Sequence, residues 1–441
     1  MEPHDKPNGP GAAGAAEGQQ SATNETNPYG GEPGGGIAMP PYFKPTPSVV
    51  NGNNYYPLTE ELGPDEMRVS FVGSCPFPPK RNQAGTAIVV ELGNGDRFFF
   101  DFGSGCLHNI VAMQIPFQLI NDIFLTHLHV DHYADLPYLY CFAPWLLRWK
   151  PLRVHGPSGR TSKDGIKAMI EGMKQMVHWH TQAFQIAPCG DGYEVEVNEF
   201  DWKDENGVCY DKNGVTVRHW RRSHQMDGCS AYRLDWNGLS FVWTGDGRPD
   251  ELTVKYSKGV DVFVSEIQPD LPLLQSRRMG VPQFLGALTI DQAHTPHYAT
   301  GYMMNQINPR IGMVTHFAND EPLVNEMIAG VRAHYRGLFA LGVDVTVVNV
   351  TKDAIWVREA VLAESAAPRR PDLKALFGEI PEEIVFPDVP YNRDAIQEQY
   401  TRDMEIDPKK YYPKDVYREP KPDFPKGMRI PASALAGPAK K

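Results

Sequence analysis

Thr126-His127-Leu128-His129-Val130-Asp131-His132 decides how this chain is read. Three imidazoles and a carboxylate fall within six residues, directly behind the apolar run Ile123-Phe124-Leu125. Crowded imidazoles beside a carboxylate are costly to bury unless a cation holds them, and these are the ligand types that a borderline-soft divalent metal prefers. Residues 122–126 have the apolar character of a buried strand, so the ligands lie at a strand's C-terminal mouth, and a helix is expected over 131–140. A loop anchored on a rigid strand is where a metal can be held in fixed geometry.

Outward from that loop, residues 67–73, 86–92 and 97–101 read as strands, with Asn94-Gly95 as a hairpin turn and regular structure starting near Glu66. Helices are expected over 131–147, interrupted at Pro137 or Pro144, and over 165–182, on either side of Gly156-Pro157-Ser158-Gly159. Strands dominate 193–244, with turns at Asn213-Gly214 and Asn237-Gly238. Then come a strand at 260–265, a helix at 291–306, a strand at 311–315, a helix at 321–341 and a strand at 343–350. Two strand-rich blocks, each with helices on one side, imply an αβ/βα sandwich with its site at the strand mouths.

The two ends differ from this pattern. Residues 1–45 are rich in Gly, Ala, Pro, Asn and Gln, with no Leu, Ile, Val, Phe, Tyr or Trp before Tyr29, and are expected to be disordered. Residues 366–441 mix Pro, Tyr and charge, as in Pro381-Glu382-Glu383 and Tyr411-Tyr412-Pro413. They read as an extended arm lying on the domain or on a neighbouring subunit, which makes a homodimer through the arm an expectation. Lys+Arg 43 against Asp+Glu 54 leaves a net charge of −11, which argues against nucleic acid as a partner. The six cysteines, at 75, 106, 141, 189, 209 and 229, form no Cys-x-x-Cys pair and read as ordinary thiols. No run approaches the roughly 20 apolar residues of a membrane span. The start lacks a signal-peptide pattern, so a cytoplasmic protein is expected by default, or an exported one if a leader has been removed.

The His-x-His-x-Asp-His loop resembles the signature of the metallo-β-lactamase superfamily, and the resemblance runs through most of residues 67–357. Within it the chain looks most like the ribonuclease Z and arylsulfatase-like branch. Gly73-Ser74-Cys75-Pro76 leads to Arg81-Asn82, and the strand ending at Asp101 runs into Gly103-Ser104-Gly105. The resemblance implies an α/β fold, a four-layer αβ/βα metallo-β-lactamase sandwich. Its catalytic domain would occupy 66–362, between the disordered tail at 1–45 and the extension at 366–441.

The resemblance also implies the remaining ligands. Asp246, in Trp243-Thr244-Gly245-Asp246-Gly247, is placed like the bridging aspartate of the family's Ser-Gly-Asp-Thr loop, although Gly247 replaces the usual threonine and its hydroxyl. His219 and His224 compete for one position. His224 is preferred because it stands just before the segment Ala231-Tyr232-Arg233, and His219 stays as the alternative. His316, in Thr315-His316, matches the branch's final histidine. The implied assignment is His127, His129 and His224 on one metal, Asp131, His132 and His316 on the other, and Asp246 between them. His294, in Ala293-His294-Thr295, matches the branch's catalytic histidine, a proton donor to the leaving oxygen that Glu266 would orient, and Asp131 is counted with that pair. Of the basic residues near these loops, Arg81, Arg221, Arg222 and Arg248, the first and last are the preferred contacts to an anionic substrate. His178 and His180 read as surface or pocket-rim residues.

Two divalent ions about 3.5 to 4 Å apart can bridge a hydroxide and hydrolyse an ester without a covalent protein nucleophile. No Gly-x-Ser-x-Gly elbow, Walker loop or suitably placed Gly-x-Gly-x-x-Gly competes with that reading. The expected function is a binuclear metal-dependent hydrolase of a small anionic ester, a phosphodiester or sulfate ester, with two zinc ions or manganese or iron in their place. Glu194, Glu196, Glu199, Asp201, Asp204 and Glu205 stand where an RNA-gripping arm would be basic, which favours a small molecule over RNA. A lactone or β-lactam hydrolase, a ribonuclease Z-like RNA endonuclease and a di-iron oxygenase are the alternatives. The full ligand set argues against a non-catalytic scaffold.

Overall fold

The computed structural model describes residues 53–76, 80–184, 187–270, 276, 280–388, 412–413, 416 and 427–435. The tail at 1–45, Tyr391, Tyr400 and Tyr411 lie outside the described residues. The first half of the chain supplies β1 (Asn54–Tyr55), β2 (Met67–Gly73), β3 (Ala87–Leu92), β4 (Arg97–Phe100), β5 (Asp122–Phe124), β6 (Leu152–Pro157) and β7 (Val195–Phe200). The second half supplies β8 (Glu205–Lys212), β9 (Val215–Arg222), β10 (Cys229–Trp236), β11 (Leu239–Trp243), β12 (Val262–Glu266), β13 (Ile311–Thr315) and β14 (Phe339–Leu341). β15 (Thr346–Val350) and β16 (Ile355–Ala360) return to the first sheet, and β17 (Glu383–Val385) pairs with β18 (Arg429–Pro431) in a two-stranded sheet of their own. The nine-stranded sheet has the order β1-β16-β15-β2-β3-β4-β5-β6-β7, and the seven-stranded sheet β14-β13-β12-β11-β10-β9-β8.

The strands read as continuous apolar runs because both faces of each sheet are covered. Along β4, Phe98 and Phe100 enter the core between the sheets while Phe99 enters the core under the outer helices. Along β12, Val262 and Val264 face the other sheet while Phe263 packs on the opposite helical layer with Met304, Ile307 and Val331. Three stacked cores therefore separate four layers, which is the expected αβ/βα sandwich. The turns at Asn213-Gly214 and Asn237-Gly238 have both residues at positive φ, the backbone that tight hairpins require.

Several elements differ from the expectations. Among the described residues regular structure begins at Asn54 rather than near Glu66, because Tyr55 is buried beneath the guanidinium groups of Arg68 and Arg358, 4.7 and 5.2 Å from its ring centre. The helix expected from 131 is a single 3-10 turn, Val130–His132, and the α-helix is delayed to Leu136–Phe142, with Pro137 in its first turn. The helix expected over 165–182 breaks at Val177 into Ile166–Met176 and His178–Phe184. The one expected over 291–306 is two helices, Gln283–Ala293 and His297–Ile307, because Pro296 disfavours helical backbone at Thr295. The helix Glu321–His334 ends early, and residues 339–341 become β14. Strands β6 and β16 were not expected at all. At the C-terminal end, Leu373, Ile384 and Ala432 form a small cluster against Trp149, so the described part of the arm packs on the domain.

Candidate metal centre

Strand ends deliver all seven candidate ligands. Beyond β5, the loop 127–132 carries three histidines and Asp131; beyond β9 stands His224, beyond β11 Asp246, and beyond β13 His316. The loop lies flat on the Gly103 backbone, where a Cβ would fall 2.1 Å from the Asp131 carbonyl oxygen, so only glycine lets the two segments meet. Ligand atoms of His127, His129, His224 and Asp246 lie within 4.8 Å of one another, as do those of Asp131, His132 and His316. The Asp246 Oδ2 stands between the groups, 3.8 Å from His127 Nε2, 3.4 Å from His132 Nε2, 3.9 Å from His224 Nε2 and 3.3 Å from His316 Nε2.

A layer of hydrogen bonds behind these groups sets their protonation. Asp101, fully buried and at a φ of 59°, accepts from the Thr126 amide (2.8 Å), Trp243 Nε1 (2.8 Å) and His132 Nδ1 (2.9 Å). Because a carboxylate only accepts, His132 Nδ1 carries a proton and Nε2 is the atom that faces the site. Burial disfavours charge on this ring, but Asp246, Asp101 and Asp131 hold its pKa well above the ordinary histidine value. The Thr126 hydroxyl donates to the same carboxylate (2.9 Å), so its oxygen accepts from His127 Nδ1 (3.1 Å) and frees His127 Nε2 in turn. His224 Nδ1 donates to the Ala293 carbonyl (2.6 Å), which leaves its Nε2 facing His129 Nδ1 at 3.1 Å.

His294 stands at the break between two helices, in extended backbone, with Nδ1 3.3 Å from Glu266 Oε1 and 3.9 Å from Asp246 Oδ2. Glu266, at the end of β12, is fully buried and also accepts from the Thr295 amide (2.8 Å) and the Gly247 amide (3.2 Å). Burial pushes the His294 pKa down, but the charge and hydrogen bond of Glu266, with Asp246 and Asp131 behind, carry it up to about 9. Burial holds His224 at about 4, in its neutral, ligand-competent form.

Other candidates lie elsewhere. His219 points into the sandwich and stacks on Phe200, ring centres 3.6 Å apart, away from the cluster that holds His224. Arg81 is exposed in a turn, and Arg248 is exposed beside the Asp246 loop. Arg221 pairs with Glu205 (2.9 Å), whereas Arg222 is buried and cannot reach a substrate. His180 bonds the Cys141 carbonyl (3.2 Å) and stacks on Phe184, and His178 begins the same helix. The six cysteines are free and buried. Asp101, Thr126 and Trp243 were missed as site residues. The only local sign was the Asp101-Phe102-Gly103 sequence, because its donors come from 25, 31 and 142 residues away.

The donor set fits a pair of divalent ions. His127 Nε2, His132 Nε2 and Asp246 Oδ1 are buried with no hydrogen-bond partner among the described residues, and all three face the cluster. Buried nitrogen and carboxylate atoms left unpaired in this way are those a zinc-like ion would satisfy. A third grouping, Asp246, His294 and His316, also has ligand atoms within 4.8 Å.

No protein-family model matches the chain. It is similar to ribonuclease BN of Proteus mirabilis, 28% identical over 171 residues, 38% of this chain and 50% of the relative. It is also similar to ribonuclease Z of Mycobacterium bovis, 24% identical over 208 residues, 46% of this chain and 70% of the relative. A third such protein is ribonuclease Z of Halalkalibacterium halodurans, 28% identical over 198 residues, 44% of this chain and 55% of the relative. The chain thus spans about half the length of the first relative. Among solved structures it resembles the metallo-β-lactamase fold protein YhfI from Bacillus subtilis, with a TM-score of 0.48, 16% identity and coverage of 66% of this chain and 100% of the other. It also resembles human tRNase Z, short form, with a TM-score of 0.47, 18% identity and coverage of 64% and 98%. No helix among the described residues is long and apolar enough to cross a membrane.

Proposed function

We propose that this chain, an αβ/βα sandwich of the metallo-β-lactamase type with ribonuclease Z and BN relatives, is a metal-dependent hydrolase that cleaves a phosphodiester-type ester. The observation that carries the reading is the cluster of seven ligand residues, with Asp246 within 4 Å of histidines from both groups. His127, His129 and His224 would hold one ion, Asp131, His132 and His316 the other, and Asp246 both. Such a pair of ions supplies an activated water at neutral pH and stabilises negative charge on the ester oxygens.

The chain's own residues supply the rest. Asp101 and the Ala293 carbonyl accept from Nδ1 of His132 and of His224, which leaves the Nε2 atom of each to face the ions. His224 is already neutral, whereas His132, held cationic by the carboxylates around it, would give up its Nε2 proton when a metal binds. Glu266 accepts from His294 Nδ1 and thereby turns Nε2 away from itself, where a proton held near neutral pH can pass to a leaving oxygen. Asp131, half-buried at the entrance, belongs to the same charged surface. Arg248, exposed one residue beyond Gly247, is the basic group best placed to meet an anionic substrate.

The acidic balance of −11 supports a small substrate. The relatives named as ribonucleases support the second reading, an RNA phosphodiester, and give no backing to the expectation that nucleic acid is excluded. Metal content measured beside a panel of chromogenic phosphodiester, sulfate, lactone and β-lactam substrates and a structured RNA tests both. Turnover of small phosphodiesters with no RNA cleavage supports the first reading, RNA cleavage the second. Protein that binds no metal and hydrolyses nothing refutes both.

A further inference from the structure

Behind the loop that carries Asp246 lies a buried cation that the ligand set and the His294–Glu266 pair do not use. Arg222 ends β9, and its side chain has no exposed surface. Its Nη1 donates to the Arg248 carbonyl (2.8 Å), to Thr253 Oγ1 (3.1 Å) and to the Asp250 carboxylate. Those partners are themselves fixed. Asp250 caps the helix Glu251–Tyr256 by accepting from the Thr253 amide (2.7 Å), and Trp220 Nε1 donates to Thr253 Oγ1 (3.1 Å).

One edge of the guanidinium is therefore clamped, while the other edge, Nε and Nη2, has no hydrogen-bond partner among the described residues. That edge lies against Gly247. A Cβ at position 247 would stand 2.9 Å from Arg222 Cζ and Nε and 3.0 Å from Nη2, so any side chain there would have to displace the guanidinium. Residue 247 is also held from its other sides, since its amide donates to Glu266 Oε1 (3.2 Å) and its carbonyl accepts from Thr295 Oγ1 (2.6 Å). Burial pushes the Arg222 pKa down to about 10, and Glu266 and Asp246 are the first two charges opposing that fall. A charged edge left without a side-chain or backbone partner in a buried position keeps much of its field, which here falls on those two carboxylates.

We propose that Arg222 is a positioning residue: its guanidinium occupies the space of a side chain at position 247, fixes the Asp246-Gly247 loop between β11 and the Glu266 carboxylate, and sets a permanent positive charge behind both acids. The inference rests on the metal-centre reading of Asp246. Without that charge, Asp246, Glu266, Asp131 and Asp101 meet with only imidazoles between them, and the loop has lost its backing.

The test compares wild type with Arg222→Met, Arg222→Lys, Gly247→Ala and the double variant Arg222→Met/Gly247→Ala. Each is loaded with zinc, and two quantities are read: the chelator concentration that removes half the zinc, and the melting temperature after complete chelation. Arg222→Met and Gly247→Ala should each give up zinc at a chelator concentration roughly 10- to 100-fold lower than wild type, the usual cost of losing a group that orients a metal ligand. Arg222→Lys, which keeps the charge but not the fork, should fall between. In the double variant the added methyl should cost less zinc retention than it does in wild type, because methionine ends where Nε stood and can turn aside, whereas the guanidinium is clamped; the part of the cost that comes from the φ of 159° at residue 247 remains. Wild-type zinc retention in Gly247→Ala overturns the proposal even if Arg222→Met fails to fold. So does a methyl that costs as much in the double variant as in wild type, or variants that lose only melting temperature. Wild type that binds no zinc overturns the metal-centre reading and this inference together, whereas zinc-loaded wild type with unaffected variants overturns this inference alone.

Discussion

Replacing Asp101 with asparagine separates the stability of the site from its ability to hold metal. The carboxylate receives the Thr126 amide, the Thr126 hydroxyl, Trp243 Nε1 and His132 Nδ1, all at 2.8 to 3.0 Å and all buried. Truncation to alanine would leave three N–H groups unpaired, at about 1 to 3 kcal/mol each. The sum, roughly 3 to 9 kcal/mol, is comparable to the whole stability of a domain. Asparagine is milder on the fold but not on the metals. Its oxygen can still accept from Thr126, which turns its NH2 towards two donors, Trp243 Nε1 and His132 Nδ1. His132 escapes the clash by moving its proton from Nδ1 to Nε2, the atom that faces Asp131 and Asp246.

Asp101→Asn should therefore remain folded after chelation, with a melting temperature lowered by a few degrees, yet bind the Asp131–His132–His316 metal roughly 10 to 100 times more weakly. The assay is metal content after dialysis against graded chelator, beside a thermal melt of the stripped protein. Two metals retained as tightly as in wild type would refute the reasoning that Asp101 fixes the His132 tautomer.

Four further outcomes are expected. His224→Ala should lose the metal shared with His127 and His129, whereas His219→Phe should keep both; metal analysis of the pair decides, and the reverse pattern transfers the ligand role to His219. Burial holds His219 at about 4, so in the folded protein it stays neutral while in the unfolded chain it protonates below about 6.5. Wild-type stability should accordingly fall by up to about 3 kcal/mol as pH drops from 6.5 to 4, and His219→Phe should flatten that slope in denaturant melts. Asp122 is pushed up by burial but held below the ordinary carboxylate range by Arg153 and His155, so its contribution is present above about pH 4 and lost as pH falls through its lower folded value. Asp122→Asn should be less stable at neutral pH and lose less on acidification. His294→Ala should keep both metals and lower kcat by roughly 10²- to 10⁴-fold for poor leaving groups and much less for nitrophenolate, and an equal loss across the series would exclude a proton-donor role.

What could be read from the sequence was what is local. The loop 127–132 announces itself because incompatible groups are crowded in one short stretch, and the all-buried strands announce themselves by composition. Asp101 could not be read in the same way. It looks like an acid at the end of a strand, and its partners reach it only after β4 pairs with β5 and β11 packs against them from the other sheet. Arg222, read with Arg221 among the basic residues near the site loops, depends on placement too: alternation along β9 puts the two on opposite faces, Arg221 exposed beside Glu205 and Arg222 buried with Trp220 under the helix that Asp250 caps. The choice between His219 and His224 also turns on placement, since His219 lies within β9 whereas His224 stands in the loop beyond it. The helix expected over 291–306 failed at Thr295-Pro296, and that failure locates His294: an extended residue between two helices can aim its ring at Glu266, which a residue inside a continuous helix could not do here.

The candidate site straddles the two sheets, which would give bound metal a role beyond the proposed reaction. His127, His129, Asp131 and His132 come from the loop after β5 in the nine-stranded sheet, whereas His224, Asp246 and His316 come from loops after β9, β11 and β13 in the other. The sheets are already joined by the core in which Phe100, Phe124, Tyr232 and Phe241 meet, and Trp243 crosses from β11 to bond Asp101 beyond β4. A metal bound there would close the mouth of the sandwich at the end where that core stops and polar groups begin. Ions that bind only this arrangement stabilise the folded chain by mass action. Their removal should loosen this mouth first and leave the opposite end of the sandwich, packed through Leu92, Val215 and Leu239, comparatively untouched. The groups proposed to carry the reaction would thus also make the closed mouth conditional on metal, because the seven ligand residues, buried or half-buried except for His129, crowd five imidazoles and two carboxylates into one place.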